Sequence, residues 1–99
     1  MEKSLHSTQQ QVLLALLRRV RSDKLLTQLE LAERIGMSQS DISKVERGVR
    51  RLDVLELRLW VKGLGLSFSE FIASLESDLD AAELVRQQGR KSSSKVRGA

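Results

Sequence analysis

The sequence has 99 residues, a length that holds one compact domain and excludes an enzyme with a cleft between two domains. It contains no cysteine and one histidine, which excludes a disulfide framework, a zinc site with thiolate ligands and a cysteine nucleophile. The net charge of +4 is unevenly divided, since residues 18–51 and 86–99 are basic and residues 52–85 are acidic. This distribution indicates either a protein with one side that faces a polyanion or a solvated surface of mixed charge.

Five helices are predicted from their start and stop signals. An N-cap residue with a polar partner three positions later satisfies the unpaired backbone N–H groups at a helix start. Such pairs are Ser7 and Gln10, Thr27 and Glu30, Ser38 and Asp41, Asp53 and Glu56, and Ser67 and Glu70. Together with glycines after three segments and the absence of proline, they predict helices over 8–23, 28–35, 39–47, 54–64 and 68 to about 88. The fold class is therefore predicted as all-α, a compact five-helix domain.

The first helix carries one apolar stripe. Its members recur at the spacing of an amphipathic helix and are Val12, Leu13, Leu16, Leu17 and Val20. Leu14 lies outside this stripe, so it is expected to be surplus to the core.

The third predicted helix has two contrasting faces. An advance of about 100° per residue places Ile42 and Val45 on the inner side. The outer side carries neutral hydrogen-bonding groups and cations but no acid, and its members are Gln39, Ser40, Ser43, Lys44 and Arg47. A solvated face ordinarily mixes both signs of charge, so this one indicates contact with an anion that also bears donors and acceptors.

The last two helices carry more apolar residues than a small domain needs. Leu55, Leu59 and Gly63 recur at every fourth residue of the fourth helix, and Leu75 and Leu79 lie on the fifth. Such surplus usually marks an oligomer contact, so the four leucines are the predicted dimer interface.

The chain is predicted to consist of a domain over residues 1–85 and a basic flexible tail over residues 86–99. The tail holds five basic residues and too few apolar ones to offset the entropy of ordering. It either adds contacts to phosphates or serves as a solubilising end.

Residues 27–48 read TQLELAERIGMSQSDISKVERG, and residues 61–72 read VKGLGLSFSEFI. The first segment closely resembles the helix-turn-helix of the phage-repressor and Cro-like (XRE-type) family of transcriptional regulators. The second resembles that family's fourth and fifth helices. The resemblance runs from Val12 to Leu75 and implies a helix-turn-helix motif over 28–47, whose second helix enters the major groove of DNA.

The resemblance also implies the DNA-binding residues, which are Gln28, Ser38, Gln39, Ser40, Ser43, Lys44, Arg47, Arg50 and Arg51. Gln39 matches the position that reads a base, and a glutamine amide suits adenine because it offers a donor and an acceptor together. Gln28 matches the position that braces it and touches a phosphate.

Glu46 lies on the inner side of the third helix, where an unpaired carboxylate would be costly to desolvate. Arg21 lies at the edge of the first helix's stripe and matches the family position that pairs with this glutamate. We therefore expect Arg21 and Glu46 to form a structural ion pair.

One departure from the family concerns the turn after the first helix. Where the family often has glycine, this chain has Leu25. The turn must either accept strain at Leu25 or avoid a positive φ.

These observations predict a sequence-specific regulator that binds double-stranded DNA and acts as a repressor, in the form of a cytoplasmic homodimer on palindromic operators. Two alternatives are an antitoxin or restriction-modification controller with a protein partner, and a protein-binding adaptor. No enzyme, cofactor or metal is expected, since no cluster of nucleophile, base and orienting residue is visible. No membrane association is expected either, because the longest apolar run, residues 12–17, is far shorter than the roughly 20 residues that span a bilayer.

Overall fold

The computed structural model describes the backbone of residues 5–98 and the side chains of residues 7–85. Five helices follow one another along the chain: α1 (Leu5–Asp23), α2 (Gln28–Ile35), α3 (Gln39–Glu46), α4 (Val54–Gly63) and α5 (Phe68–Gly98). The described part of the chain contains no strand, and the predicted all-α five-helix fold is confirmed. Within the described residues, no helix combines the length and apolar character needed to cross a membrane.

Two helices differ in length from the prediction. α1 begins at Leu5, three residues before the predicted start near residue 8, so Ser7 lies inside the helix and its predicted role as the N-cap was wrong. The backbone of α5 runs to Gly98, past the predicted end near residue 88. The side chains of residues 86–99 lie outside the described residues, and the flexible tail stays a prediction.

The helix starts at α2, α3 and α4 are set by the predicted caps. Thr27 Oγ1 accepts a hydrogen bond from Glu30 N at 3.0 Å, and Thr27 N donates to Glu30 Oε1 at 2.8 Å. Ser38 Oγ accepts from Asp41 N at 3.0 Å, and Asp53 caps α4 in the same way as Thr27 caps α2. These caps place Gln28 and Gln39 at the first positions of their helices.

The core lies between the five helices: α1 packs against α3 and α5, and α2 packs against α3 and α4. Its fully buried members include Leu17, Leu31, Ile42, Trp60 and Val61. Trp60 is the only tryptophan of the chain, and among the described residues its indole Nε1 has no hydrogen-bond partner. The aromatic ring therefore stabilises the core by the apolar area it buries.

Leu14 corrects the prediction for α1. It is only 2% exposed, although it lies outside the predicted stripe. The reason is Gly48, in the loop after α3, where a Cβ atom would lie 3.2 Å from Leu14 Cδ1. Because the loop backbone approaches α1 at this glycine, α1 is buried over a wider arc than its contact with one helix would require.

Gly63 also has a role other than the one predicted for it. A Cβ atom there would overlap Ile35 Cγ2 and lie 3.1 Å from Leu31 Cδ1. Its carbonyl oxygen accepts a hydrogen bond from Arg34 Nη1 at 3.0 Å. Gly63 thus lets α2 pack closely against the end of α4, so it belongs to an internal contact and not to the surplus stripe.

The turn between α1 and α2 places Leu25 at a positive φ, which is the strained one of the two predicted alternatives. Leu25 has a φ of 58°, the only positive φ at a non-glycine residue in the described chain, and its side chain is 88% exposed. The turn is closed by hydrogen bonds from Leu25 N to Ser22 O and from Leu26 N to Arg21 O. A leucine in this conformation brings Cβ too close to the backbone, so the turn carries a local conformational cost.

Candidate nucleic-acid interface

The two faces of α3 differ sharply in burial. Ile42 and Val45 are fully buried and anchor the helix in the core. Four predicted DNA-binding residues on the opposite side are exposed, namely Gln39, Ser40, Lys44 and Arg47, and a fifth, Ser43, is half-buried. The helix therefore presents amide, hydroxyl, ammonium and guanidinium groups on one solvent-facing surface.

Two of the predicted DNA-binding residues make contacts that order this surface. Ser38 accepts a backbone hydrogen bond as the N-cap of α3, which leaves its hydroxyl proton to donate outward. Arg47 Nε donates to Ser43 Oγ at 3.2 Å, one turn earlier on α3. The cap and the side-chain pair restrict both ends of the exposed face.

Glu46 forms the centre of a buried polar cluster behind α3. Its side chain is 3% exposed, and Oε2 accepts from Arg21 Nε at 2.7 Å. Oε1 accepts from Arg21 Nη2 and from Gln28 Nε2, both at 3.0 Å. Bidentate pairing with an arginine and a further donor from the start of α2 satisfy the carboxylate and tie α1, α2 and α3 together.

Gln28 is held by this cluster in a defined orientation. A carboxylate accepts hydrogen bonds but cannot donate them, so the amide nitrogen of Gln28 must face Glu46. The second N–H of that nitrogen and the amide oxygen remain for a partner outside the cluster.

Arg18 is a residue of this region that sequence reasoning missed. Its Nη1 donates to the backbone oxygen of Glu46 at 2.7 Å, and so places a cation at the C-terminal end of α3. Arg21 donates likewise to Leu26 O at 2.7 Å. The signal that could have found Arg18 is its spacing of three residues from Arg21, which puts both on one side of α1.

Arg50 and Arg51 follow α3 in the loop that leads to α4. Arg51 is exposed, whereas Arg50 is partly covered and its Nη2 lies 2.8 Å from Glu56 Oε2. The hydrogen bond from Arg50 lowers the pKa of the Glu56 carboxyl, and the same bond raises the pKa of Arg50. The structure therefore gives Arg50 a partner within the chain.

The four leucines predicted for the dimer interface lie in two settings. Leu55 and Leu59 are exposed on α4, at 74% and 45%. Leu75 and Leu79 are half-buried and line a groove of ≈ 230 Å³ together with Leu13 and two glutamines of α1. Part of the surplus on α5 is thus used in packing against α1.

Comparison with known proteins agrees with this architecture. The family model described as "Helix-turn-helix" matches residues 17–71. An XRE-family like protein from Pseudomonas syringae pv. tomato str. DC3000 has a similar structure, with 42% sequence identity, 73% of this chain and 88% of that chain covered, and a TM-score of 0.69. The chain belongs to the XRE-type helix-turn-helix family. The resemblance seen in the sequence is confirmed.

Two further proteins with similar solved structures are a controller protein and a gene regulator. The restriction-modification controller protein C.Esp1396I, solved as a tetramer in complex with its natural 35 base-pair operator, is 29% identical, with coverage of 79% of this chain and 97% of that chain and a TM-score of 0.66. The clp gene regulator ClgR from Corynebacterium glutamicum is 27% identical, with coverage of 91% and 92% and a TM-score of 0.70. No curated protein sequence matches the chain significantly.

Proposed function

We propose that the protein is a sequence-specific regulator of transcription that binds double-stranded DNA and represses from palindromic operators. The observation that carries the proposal is the exposed face of α3, which joins neutral donors and acceptors to two cations and includes no acid. Such a surface suits the major groove, where base edges present donors and acceptors between two rows of phosphates. Membership of the XRE-type family supports the same function.

Within this proposal, the residues divide into base-reading and backbone-binding groups. Gln39, Ser40 and Lys44 reach base edges, and Gln39 pairs with adenine N6 and N7. The other DNA-binding residues contact phosphates, and these are Gln28, Ser38, Ser43, Arg47, Arg50 and Arg51. The buried Glu46 cluster positions α3 without touching DNA, because its carboxylate is enclosed by Arg21 and Gln28.

The proposal is tested by selecting bound sequences from random duplexes with the wild-type chain and with two variants. Gln39→Ala should weaken operator binding by about 1–3 kcal/mol and relax the preference at one base pair of each half-site. Arg51→Ala should weaken binding to all sequences alike, because a phosphate contact carries no sequence information. A Gln39→Ala variant that selects the same sequences as the wild type would contradict α3 as the reading helix.

We further propose a homodimer, because one helix-turn-helix reads few base pairs and two-fold dimers bind half-sites about 34–36 Å apart. The proposed interface is formed by Leu55, Leu59, Leu75 and Leu79. The exposure of Leu55 and Leu59 supports it, and so does the assembly of the C.Esp1396I controller on its operator.

Sedimentation of a Leu55→Lys, Leu59→Lys variant tests this interface. It should yield monomers that bind a palindrome no better than a half-site. The matched control is Gln11→Lys, Ala15→Lys, which adds the same charge at the same spacing to exposed positions of α1 and should stay dimeric. A dimer that survives the leucine changes would place the interface elsewhere.

A second candidate is a restriction-modification controller, which the similarity to C.Esp1396I favours. It would use the same face of α3 and would differ in the genes under its control. Sequencing the neighbouring genes discriminates between the two, since a controller lies beside a restriction or methyltransferase gene. In either case we propose a cytoplasmic, non-enzymatic protein, because its action is completed by binding DNA.

A further inference from the structure

Arg50 is paired with a carboxylate of its own chain. Its Nη2 contacts Glu56 Oε2 at 2.8 Å, and Asp41 and Asp53 add smaller contributions to the negative potential at the same guanidinium. Arg50 therefore has an anionic partner before any DNA approaches. This distinguishes it from Lys44 and Arg47, which stand exposed on α3.

Glu56 is held in this place by the start of α4. Its Oε1 accepts from Asp53 N at 3.0 Å, and its own backbone N–H donates to Asp53 Oδ1 at 2.8 Å. The capping box thus occupies one carboxylate oxygen and turns the other towards Arg50. Because both ends of the glutamate are engaged, the carboxylate is a preorganised acceptor for the arginine.

A carboxylate and a phosphate compete for the same guanidinium. Both accept the paired N–H donors of arginine, so a DNA phosphate gains Arg50 only by displacing Glu56 or by sharing the guanidinium with it. The Glu56 carboxylate also repels an approaching phosphate. Weaker binding to the DNA phosphates lowers the affinity for every DNA sequence and leaves base reading unchanged. The part of the affinity that depends on sequence is then a larger share of the total.

We propose that Glu56 is a positioning residue that weakens the contact of Arg50 with DNA phosphates and so limits non-specific affinity. The inference rests on the proposed DNA-binding function and names the residue that tunes it. Arg50 is then a weak contributor in the wild-type protein and a strong one when Glu56 loses its charge.

The test compares duplex binding by the wild type and by Glu56→Gln over a series of salt concentrations. Glutamine keeps an oxygen for the Asp53 N–H, so the cap survives while the charge is removed. Glu56→Gln should bind duplexes of any sequence about two- to fivefold more tightly, and the slope of log K against log salt concentration should steepen by about 0.9. Circular dichroism and Trp60 fluorescence verify that the variant is folded.

Glu70→Gln is the matched control. It removes one negative charge at the corresponding third position of α5, where Glu70 N donates to the capping Ser67 Oγ at 3.1 Å. Its affinity and salt slope should equal those of the wild type. An equal gain in both variants would show a general effect of net charge and would overturn the proposal.

Arg50→Ala probes the pair from the other side. Alone it should reduce affinity by less than about twofold, and in its background Glu56→Gln should produce no gain. A large loss from Arg50→Ala alone, or an unchanged affinity in Glu56→Gln, would overturn the inference while leaving DNA binding intact. A wild-type chain that binds no duplex would instead overturn the proposed function, and with it the inference.

Discussion

Two arginine–glutamate pairs of nearly equal length involve residues of α3 and of the loop that follows it. Arg21 and Glu46 meet at 2.7 Å behind α3, where Glu46 is 3% exposed and Gln28 adds a further donor. Arg50 and Glu56 meet at 2.8 Å at the first turn of α4, where each side chain is 34% exposed. The distance between the charges is thus a poor guide to their role. The buried pair holds three helices together, whereas the solvated pair can exchange its partner for another anion.

The largest expected effect comes from breaking the buried pair. Glu46→Ala leaves the Arg21 guanidinium without its carboxylate, and we expect the free energy of unfolding to fall by about 3–5 kcal/mol. Denaturant unfolding followed by the fluorescence of the buried Trp60 measures the loss. Replacing both residues, as Arg21→Met, Glu46→Leu, should recover much of it, since no charge is then left unpaired. A Glu46→Ala variant that unfolds like the wild type would remove the difference between the two pairs.

The second largest effect is expected at Gly63, where a buried contact depends on close packing and not on charge. Gly63→Ala places a methyl group against Ile35 and Leu31, so α2 must move away from α4. We expect a loss of about 1–3 kcal/mol in the free energy of unfolding. Alanine is favoured over glycine in a helix by about 0.5–1 kcal/mol, so a loss of stability in Gly63→Ala reflects the overlap and not helix propensity. Stability equal to that of the wild type in Gly63→Ala would show that α2 and α4 are not in close contact.

Leu25 offers a smaller effect of the opposite sign. The side chain is exposed, so little packing is lost on its removal, and glycine accepts the positive φ that strains leucine. Leu25→Gly should raise the free energy of unfolding by about 0.5–1 kcal/mol, after the added flexibility of the unfolded chain is included. Leu25→Ala, which keeps Cβ and the strain, should leave stability unchanged. If both variants behave alike, backbone strain at this turn has no energetic weight.

The smallest effect is expected at the solvated pair and depends on pH. The pKa of Glu56 is lowered by its hydrogen bonds from Arg50 and Asp53, so the unfolded chain binds its proton at a higher pH than the folded chain does. The stabilisation by Glu56 is therefore complete above the ordinary glutamate value of about 4.3 and is lost as the pH falls through the lowered folded value. Thermal unfolding of Glu56→Gln should show a shallower loss of stability with acid than the wild type. Parallel curves would mean that the pair carries no such linkage.

The sequence predicted the local features of the fold well. Thr27, Ser38 and Asp53 marked the starts of α2, α3 and α4, and the structure has a cap at each of them. The burial of Ile42 and Val45 followed from helical periodicity. These features depend on residues within one or two turns of each other, so the pattern of a short segment contains the necessary information.

The contacts of the proposed interface depended on the family resemblance or were not predicted. The meeting of Arg21 and Glu46, 25 residues apart, was expected from a matching family position, but the third partner, Gln28, was not. Arg50 was expected to face phosphate. Its hydrogen bond to Glu56 depends on how the loop after α3 packs against the start of α4, and the sequence did not predict it. A side chain of this length reaches several alternative partners, and periodicity does not distinguish among them.

The amino-acid order alone was enough to define five helices, the caps of α2, α3 and α4 and the buried side of α3, because capping and periodicity act over a few residues. Tertiary structure decided the burial of Leu14, the close approach at Gly63 and the positive φ of Leu25. The first two depend on where a distant backbone segment comes to rest, the loop at Gly48 against α1 and α2 against α4, whereas the φ of Leu25 belongs to a turn whose form is fixed by its hydrogen bonds to Ser22 and Arg21. Such approaches are set by the packing of the whole core, which no single segment of the chain encodes.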